Sequence, residues 1–192
     1  EKFMSVAMQD EVWRDFFYTE LTTGLRLGEI CGLRWSDFDE ATGRLKISRT
    51  VKRKKGGGVT WGDTKTETGM RNILLPPSTA EILRERKKRL MSEWIFPNIY
   101  SPEEAMHPEY PYNRMKTLLK QAGLPLIRFH DLRHTFATHA LTGGVDAKTL
   151  SRILGHTNAS FTLDTYTHVT TDMQKRASGI VGGFMEDLII KE

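Results

Sequence analysis

Residues 23–39 read TGLRLGEICGLRWSDFD and mark the end of one helix and the start of another. The apolar residues before this stretch recur at helical spacing on one face, at Val12, Phe16, Phe17 and Leu21. The pattern predicts an amphipathic helix, and Gly24 is the kind of residue that ends one. Inside the quoted stretch, a second and shorter helix is expected to carry Leu27, Ile30 and Leu33.

After this stretch the hydrophobic period changes from helical to alternating. Residues 44–51, RLKISRTV, alternate polar and apolar side chains, which predicts a strand with one solvated face. Residues 59–64 and 70–75 are interpreted as two further strands, with a turn at residues 67–69. Three strands in sequence predict a small antiparallel meander.

The second half of the chain is again helical in its pattern. The predicted helices cover residues 76–90, 112–121, 131–139 and 146–155. Asp131 and Asp146 are expected to cap the last two of them, and Gly155 to end the fourth. The whole chain, residues 1–192, is therefore predicted to be one α+β domain, mostly α-helical with a small three-stranded antiparallel sheet.

Composition is typical of a globular protein, with 39% hydrophobic and 27% charged residues and a net charge of +4. An apolar run near the roughly 20 residues of a membrane span is missing, as is a secretory leader, so a cytoplasmic protein without a membrane partner is expected. The single Cys31 excludes an internal disulfide. Because the chain starts at Glu1, we expect it to be a piece of a longer protein.

The positive charge is concentrated in two runs. Residues 44–55 hold seven Lys or Arg and no acid, and residues 84–89 hold five more. Such runs are often only solvated, but they also suit a nucleic-acid backbone. The residues of the first run that we expect to contact DNA are Arg44, Arg49, Lys52, Arg53, Lys54 and Lys55.

Several residues could together cleave a phosphodiester bond without a metal ion. The transition state spreads negative charge over the non-bridging oxygens, and guanidinium groups such as those of Arg26 and Arg133 can stabilise it because they are always charged. The hydroxyl of Tyr166 can be the nucleophile, but its pKa of about 10 requires a nearby base or positive field. A neutral histidine can be that base, and a lysine such as Lys65 can protonate the departing sugar oxygen.

Each of these residues, taken alone, also has an ordinary structural interpretation. Arg26 could be a surface arginine, Lys65 a solvated lysine and Tyr166 a half-buried core residue. His156, which follows Leu154 and Gly155, could have no role beyond the C-terminal cap of a helix. The functional interpretation therefore depends on all of these residues occurring together in one chain.

A zinc site is the alternative for the histidines. His130 and His134 are four residues apart and could share one helix face, with His139 as a third ligand. The His-Glu-x-x-His pattern of helical zinc sites is missing, so we expect neither a metal nor another cofactor.

Two stretches resemble the boxes of the tyrosine recombinases, also called phage integrases. Residues 23–39 resemble the first arginine box, and residues 130–139, HDLRHTFATH, resemble the second. The similarity continues through His156 to Tyr166 in the order and spacing of the family, and it covers essentially the whole chain. Integrases of conjugative transposons and temperate phages are the most similar members.

The resemblance implies how the scissile phosphate would be held. Arg26 and Arg133 would clamp it, and His156 would donate a hydrogen bond to it. Glu29 matches a frequent acidic position of the first box and would orient the site rather than react.

The resemblance also implies which residues attack the phosphorus and transfer protons. Tyr166 would attack the phosphorus and form a 3′-phosphotyrosyl bond. His130 would assist proton transfer at this nucleophile, and Lys65 would be the general acid for the leaving 5′ oxygen.

The same resemblance implies the assembly and the partners. Double-stranded DNA would be the substrate of a homotetramer acting on two DNA sites, with an excision factor or a host DNA-bending protein as a helper. Residues 169–192 would form a tail that docks on a neighbouring protomer or folds back on its own domain. Members of the family normally carry further DNA-binding domains before this region, so this chain is expected to bind DNA mainly through phosphates.

Three other functions remain open on the sequence. A type IB topoisomerase would use the same chemistry to relax supercoils, although the second arginine box favours a recombinase. A catalytically inactive DNA-binding module would not need the whole set of residues. A metal-dependent nuclease would need a cluster of carboxylates.

Overall fold

The computed structural model describes residues 1–63, 69–156 and 178–179. Its helices are α1 (Lys2–Ala7), α2 (Arg14–Thr23), α3 (Leu27–Ile30), α4 (Pro77–Arg89), α5 (Glu109–Gln121), α6 (His130–Thr142) and α7 (Ala147–Leu154). Its strands are β1 (Phe38–Asp39), β2 (Arg44–Ile47), β3 (Arg49–Arg53), β4 (Val59–Asp63) and β5 (Arg71–Leu74), and Trp35–Asp37 form a 3-10 helix. The predicted α+β class, mostly helical, is confirmed. The chain divides into two compact units, residues 1–136 and 137–192.

Aromatic side chains of α2 fill the core of the first unit. Phe16 is 1% exposed and meets Phe96 edge to face with 5.1 Å between the ring centroids. Such a pair adds a favourable electrostatic contact to the burial of apolar area. The helix ends as predicted at Gly24, whose φ of 60° is left-handed. A Cβ at Gly24 would also lie 2.3 Å from the ring of Phe136, so both backbone and packing require glycine here.

The strands pair differently from the predicted meander. β2 pairs with β1 and β5 in a three-stranded antiparallel sheet, whereas β3 and β4 form a separate two-stranded sheet. The single strand predicted over residues 44–51 is therefore two strands, and the chain changes its pairing partner at Ser48. The meander was a wrong prediction because alternation indicates which face of a strand is buried but not which strand lies beside it.

Helix α3, which follows Arg26, is in close contact with strand β3 through Gly28. A Cβ at Gly28 would lie 2.4 Å from Thr50 Oγ1 and 2.5 Å from the carbonyl oxygen of Val51. α3 can lie this close to β3 only because residue 28 has no side chain. Arg26 and Glu29, on either side of this contact, are therefore fixed next to the sheets.

β3 and β4 form a hairpin with a glycine-rich turn. Residues 56–58 all have φ between 71° and 110°, a conformation that other residues rarely adopt. At its other end the hairpin is attached by Trp61, whose ring lies 4.6 Å from the guanidinium carbon of Arg34. The same guanidinium lies 4.2 Å from the ring of Trp94, which meets the Trp61 ring edge to face with 6.0 Å between centroids, so one cation contacts both indoles.

The basic run on α4 is paired with acids of its own unit. The pairs are Arg84–Glu81, Arg86–Asp15, Lys87–Glu40 and Lys88–Glu85. Asp15 is 1% exposed, so its contact with Arg86 at 3.3 Å neutralises a buried carboxylate. These cations are already paired with acids, so the first basic run is the better candidate for a DNA surface.

The ends of the later helices differ from the predictions at three points, one of which is that α6 ends at Thr142 and not at residue 139. α5 begins at Glu109, three residues before the predicted residue 112. α6 begins at His130, and Asp131 in its first turn accepts a hydrogen bond from the Arg128 backbone N–H at 2.8 Å instead of capping the helix.

Asp146 caps α7 as predicted by accepting a hydrogen bond from the Thr149 backbone N–H at 2.9 Å, and Gly155 ends that helix with a φ of 65°. Apart from residues 178–179, the expected tail at residues 169–192 lies outside the described residues. None of the helices in the described part of the chain combines the length and apolar character that a membrane crossing requires.

Candidate active site

Arg26 lies at the start of α3 and is held there by Glu29. The backbone N–H of Arg26 donates to Glu29 Oε2 at 2.9 Å, and its Nη1 donates to Glu29 Oε1 at 2.8 Å. The Glu29 side chain is 3% exposed, whereas that of Arg26 is 42% exposed. A buried carboxylate thus orients a guanidinium that faces solvent.

Arg71 is a second partner of Glu29 that sequence reasoning did not find. Its Nη2 donates to Glu29 Oε2 at 2.9 Å and its Nη1 to Oε1 at 3.1 Å, which is a bidentate pair. Burial would raise the pKa of Glu29, but the hydrogen bond and charge of Arg71, together with Arg26, lower it from its ordinary value. Glu29 is therefore ionised at neutral pH.

Arg133 is the buried cation of this site. It lies on α6, is 2% exposed, and donates from Nη1 to the carbonyl oxygen of Gly24 at 2.8 Å. Burial, followed by the charge of Arg26, lowers the pKa of Arg133 to about 10. Arg133 thus stays protonated at neutral pH, and the two guanidiniums lie within electrostatic reach of each other.

Glu20 is a buried acid in the same region that was also missed. It lies on α2, is 0% exposed, and neither of its carboxylate oxygens has a hydrogen-bond partner among the described residues. Burial raises the pKa of Glu20 well above its ordinary value, and the opposing charge of Arg133 is too weak to reverse this. The sequence signal for a buried acid was the position of Glu20, which lies four residues after Phe16 and therefore on the apolar face of α2.

We expect Glu20→Gln to stabilise the protein at high pH. The raised pKa means that the folded chain retains a proton that the unfolded chain releases above its ordinary value of 4.5, so stability falls as pH rises from there, by up to about 1.4 kcal/mol per pH unit. Glutamine keeps the shape of the neutral acid and removes this dependence. Urea unfolding across pH measures it, with the exposed Glu103→Gln as control. A variant that is less stable than the parent at high pH would show that Glu20 is ionised.

His130 lies at the first turn of α6 and is exposed. Its ring packs edge to face on that of His134, with 4.7 Å between centroids. Burial, then the charges of His134, Arg133 and Arg26, lower the pKa of His130 below 6.5, against the smaller effect of Asp131. His130 is therefore mainly neutral at neutral pH, as a base must be.

The remaining predicted catalytic residues are not part of this group as described. Lys65 and Tyr166 lie outside the described residues. His156 belongs to the second unit, where it follows Gly155 and its backbone N–H donates to the Ser151 carbonyl at 3.0 Å. Over residues 1–63, 69–156 and 178–179, the structure has no group of three or more His, Cys, Asp or Glu that could hold a metal ion.

The residues predicted to contact DNA occupy different surroundings. Arg44 is exposed on β2, and Lys52, Lys54 and Lys55 are exposed on the β3–β4 hairpin. Arg49 is partly buried, where it pairs with Asp37 and donates to the Gly32 carbonyl at 3.3 Å. Arg53 is 68% exposed and pairs with Glu109.

The sequence matches the phage integrase family over residues 2–173, and the chain belongs to that family. A XerC-like tyrosine recombinase of Caldanaerobacter subterraneus is 29% identical over 92% of this chain and 50% of its own length. The transposase of transposon Tn916 from Enterococcus faecalis is 31% identical over 90% of this chain and 47% of its own length.

Solved structures agree with this assignment. The integrase of transposon Tn1549, in complex with transposon right end DNA, matches with a TM-score of 0.76 and 25% identity over 92% of this chain and 63% of that chain. The structure of XerA recombinase has the same fold, with a TM-score of 0.70 and 22% identity over 92% of this chain and 61% of that chain. This chain spans about half the length of the curated relatives it matches.

Proposed function

We propose that this chain is the catalytic domain of a site-specific DNA recombinase that integrates or excises a mobile element. The observation that carries the proposal is the cluster in which Glu29 orients Arg26 while Arg133 lies within electrostatic reach. Membership of the phage integrase family supports it. So do the relatives, which include the Tn916 transposase and an integrase solved with transposon-end DNA.

The two arginines bind the non-bridging oxygens of the scissile phosphate. Arg133 approaches from the buried side and remains charged at neutral pH, and Arg26 approaches from the exposed side. His156 donates a further hydrogen bond to the phosphate. Fixed cations of this kind stabilise the transition state without reorganisation during the reaction.

Cleavage exchanges one phosphate ester for another. The phenolic oxygen of Tyr166 attacks the phosphorus, His130 assists removal of its proton, and the bond to the 5′ oxygen breaks as Lys65 protonates that oxygen. The 3′-phosphotyrosyl bond keeps the energy of the broken ester, so rejoining by a 5′-hydroxyl of the partner strand requires no nucleotide cofactor.

Each protomer contributes one nucleophile, and exchange between two duplexes breaks four strands. We therefore propose a homotetramer on two double-stranded DNA sites, which passes through a Holliday junction. Docking of residues 169–192 on a neighbouring protomer, and help from an excision factor or a host DNA-bending protein, belong to the same proposal. Its place of action is the bacterial cytoplasm, at the nucleoid.

The DNA backbone is bound by the exposed basic side chains of β2 and the β3–β4 hairpin. Lys52, Lys54 and Lys55 lie on one exposed segment, which suits a row of phosphates, and Arg44 is exposed on β2 of the other sheet. Arg49 and Arg53 are paired with acids and contribute more to holding the hairpin. Because counterions are released from the DNA, binding should weaken steeply with salt.

A nicked suicide substrate, incubated in EDTA, tests the proposed function. Loss of the short fragment after cleavage prevents rejoining, so a recombinase accumulates as a covalent protein–DNA adduct. Cleavage that requires added Mg²⁺ would contradict the proposal and favour a nuclease. Plasmid relaxation without strand exchange would favour a topoisomerase, and DNA binding without any adduct an inactive module.

We expect His134→Gln to move the acid limb of the cleavage rate to higher pH. The base His130 must be neutral, and after burial the charge of His134 is the largest cause that lowers the pKa of His130. Removing it lets His130 take up a proton at higher pH, so activity is lost earlier on acidification. Single-turnover rates from about pH 5 to about pH 8 measure the limb, with the exposed His139→Gln as control. An unmoved limb would mean that His130 is not the base.

A further inference from the structure

Arg71 is the most deeply placed partner of Glu29 and belongs to a distant part of the sequence. It is the first residue of β5, and its side chain is 7% exposed. Its position is fixed by the pairing of β5 with β2, in which Arg71 lies opposite Ile47. The ion pair thus joins the three-stranded sheet to the start of α3, which carries Arg26.

Glu29 is shared between two arginines in a fixed pattern. Oε1 accepts from the Nη1 atoms of Arg26 and Arg71, at 2.8 and 3.1 Å. Oε2 accepts from the Arg26 backbone N–H and from Arg71 Nη2, both at 2.9 Å. The planar fork of Arg71 contacts both oxygens, so it determines the plane of the carboxylate, and that plane determines where the Arg26 side chain is held.

We propose that Arg71 is a positioning residue for DNA cleavage, which acts through Glu29 to set the orientation of the Arg26 guanidinium. The inference rests on the proposed function, because it concerns the arginine that meets the scissile phosphate. Glu29 and Arg71 together are electrically neutral, so Glu29 can orient Arg26 without cancelling its charge. Without the fork, the carboxylate turns towards Arg26, and a DNA phosphate must then compete with it.

Arg71→Lys tests the fork while keeping the charge. A lysine offers one point donor and cannot hold both carboxylate oxygens. We expect single-turnover cleavage to fall about 10- to 100-fold, as displacement of a catalytic group does, with low-salt DNA affinity and thermal unfolding nearly unchanged. Asn72→Ala, an exposed change at the next position of β5, is the control and should behave as the parent.

A double-mutant comparison shows whether Glu29 transmits the effect. If Arg71 acts through Glu29, then Arg71→Lys should slow the Glu29→Gln variant by less than twofold. If the loss of rate in the double variant equals the product of the losses in the two single variants, the proposal is overturned.

Arg71 also lies close in sequence to Lys65, so the defect must be separated from a defect in the general acid. A substrate with sulfur in place of the 5′-bridging oxygen releases a thiolate, which leaves without a proton. If Arg71 acts through Arg26, Arg71→Lys remains slow on this substrate. Recovery of the parental rate would overturn the proposal, because it would place the effect on Lys65.

The side-chain NMR signal of Arg26 gives a readout that does not depend on activity. Arg71→Lys should shift the Nε–H resonance of Arg26, identified by its loss in Arg26→Lys, whereas Asn72→Ala should leave it in place. An unmoved resonance would overturn the proposal even if cleavage is slow. A parent chain that forms no adduct on the suicide substrate would instead contradict the proposed function, and this resonance alone would then decide whether Arg71 positions Arg26.

Discussion

We expect Tyr166→Phe to abolish the covalent protein–DNA adduct that the proposed recombinase forms on a nicked substrate in EDTA. In the proposed mechanism the phenolic oxygen becomes bonded to phosphorus, whereas phenylalanine retains the ring but offers no nucleophile. We therefore expect the adduct band on a denaturing gel to disappear completely. Low-salt DNA binding, which depends on backbone phosphates, should change by less than about twofold.

Tyr100→Phe is the matched control for this experiment. Tyr100 is 77% exposed, so the same chemical change there should leave the adduct at the parental level. An adduct that persists in Tyr166→Phe would mean that another side chain attacks the phosphate, and the assignment of the nucleophile would be wrong.

The second large effect is expected for Arg133→Lys. Lysine keeps a positive charge but loses the fork that lets one group donate to Gly24 and still act on a phosphate. We expect cleavage to fall about 10²- to 10³-fold, the range found when one transition-state donor is removed, while low-salt binding stays nearly constant. Single-turnover rates and a filter-binding titration on the same DNA measure the two quantities.

Arg84→Lys is the matched control, because Arg84 is paired with Glu81 on α4 and should tolerate the change. Arg133→Ala should also abolish cleavage, but it leaves the buried Gly24 carbonyl without this donor and is expected to lower stability by about 1–3 kcal/mol. Equal losses of binding and cleavage in Arg133→Lys would indicate a structural role for this arginine.

The sequence predicted those parts of the site that depend on local pattern. Gly24 ends α2 and Asp146 caps α7 because each property belongs to a residue and its immediate neighbours. The two arginine boxes were recognisable because each is a contiguous stretch of sequence, and they indicated the family.

What the sequence did not predict depends on contacts between distant segments. Arg71 meets Glu29 only because β5 pairs with β2, and the expected meander hid that pairing. Nothing in the alternating pattern marks Ser48 as the point where the chain changes partner. Some of the acids that pair with the α4 run are likewise set by tertiary packing, so a count of cations does not reveal which of them are already paired.

The contact of Arg34 with the indoles of Trp61 and Trp94 gives the hairpin an intrinsic optical label. Trp61 is 50% exposed, whereas Trp94 is 2% exposed, so the emission of Trp61 is the more sensitive of the two to its contact with the guanidinium. Release of the hairpin from this contact would leave an indole in water and shift its fluorescence to the red. The attachment of the hairpin that precedes Lys65 can therefore be followed in time without a chemical dye.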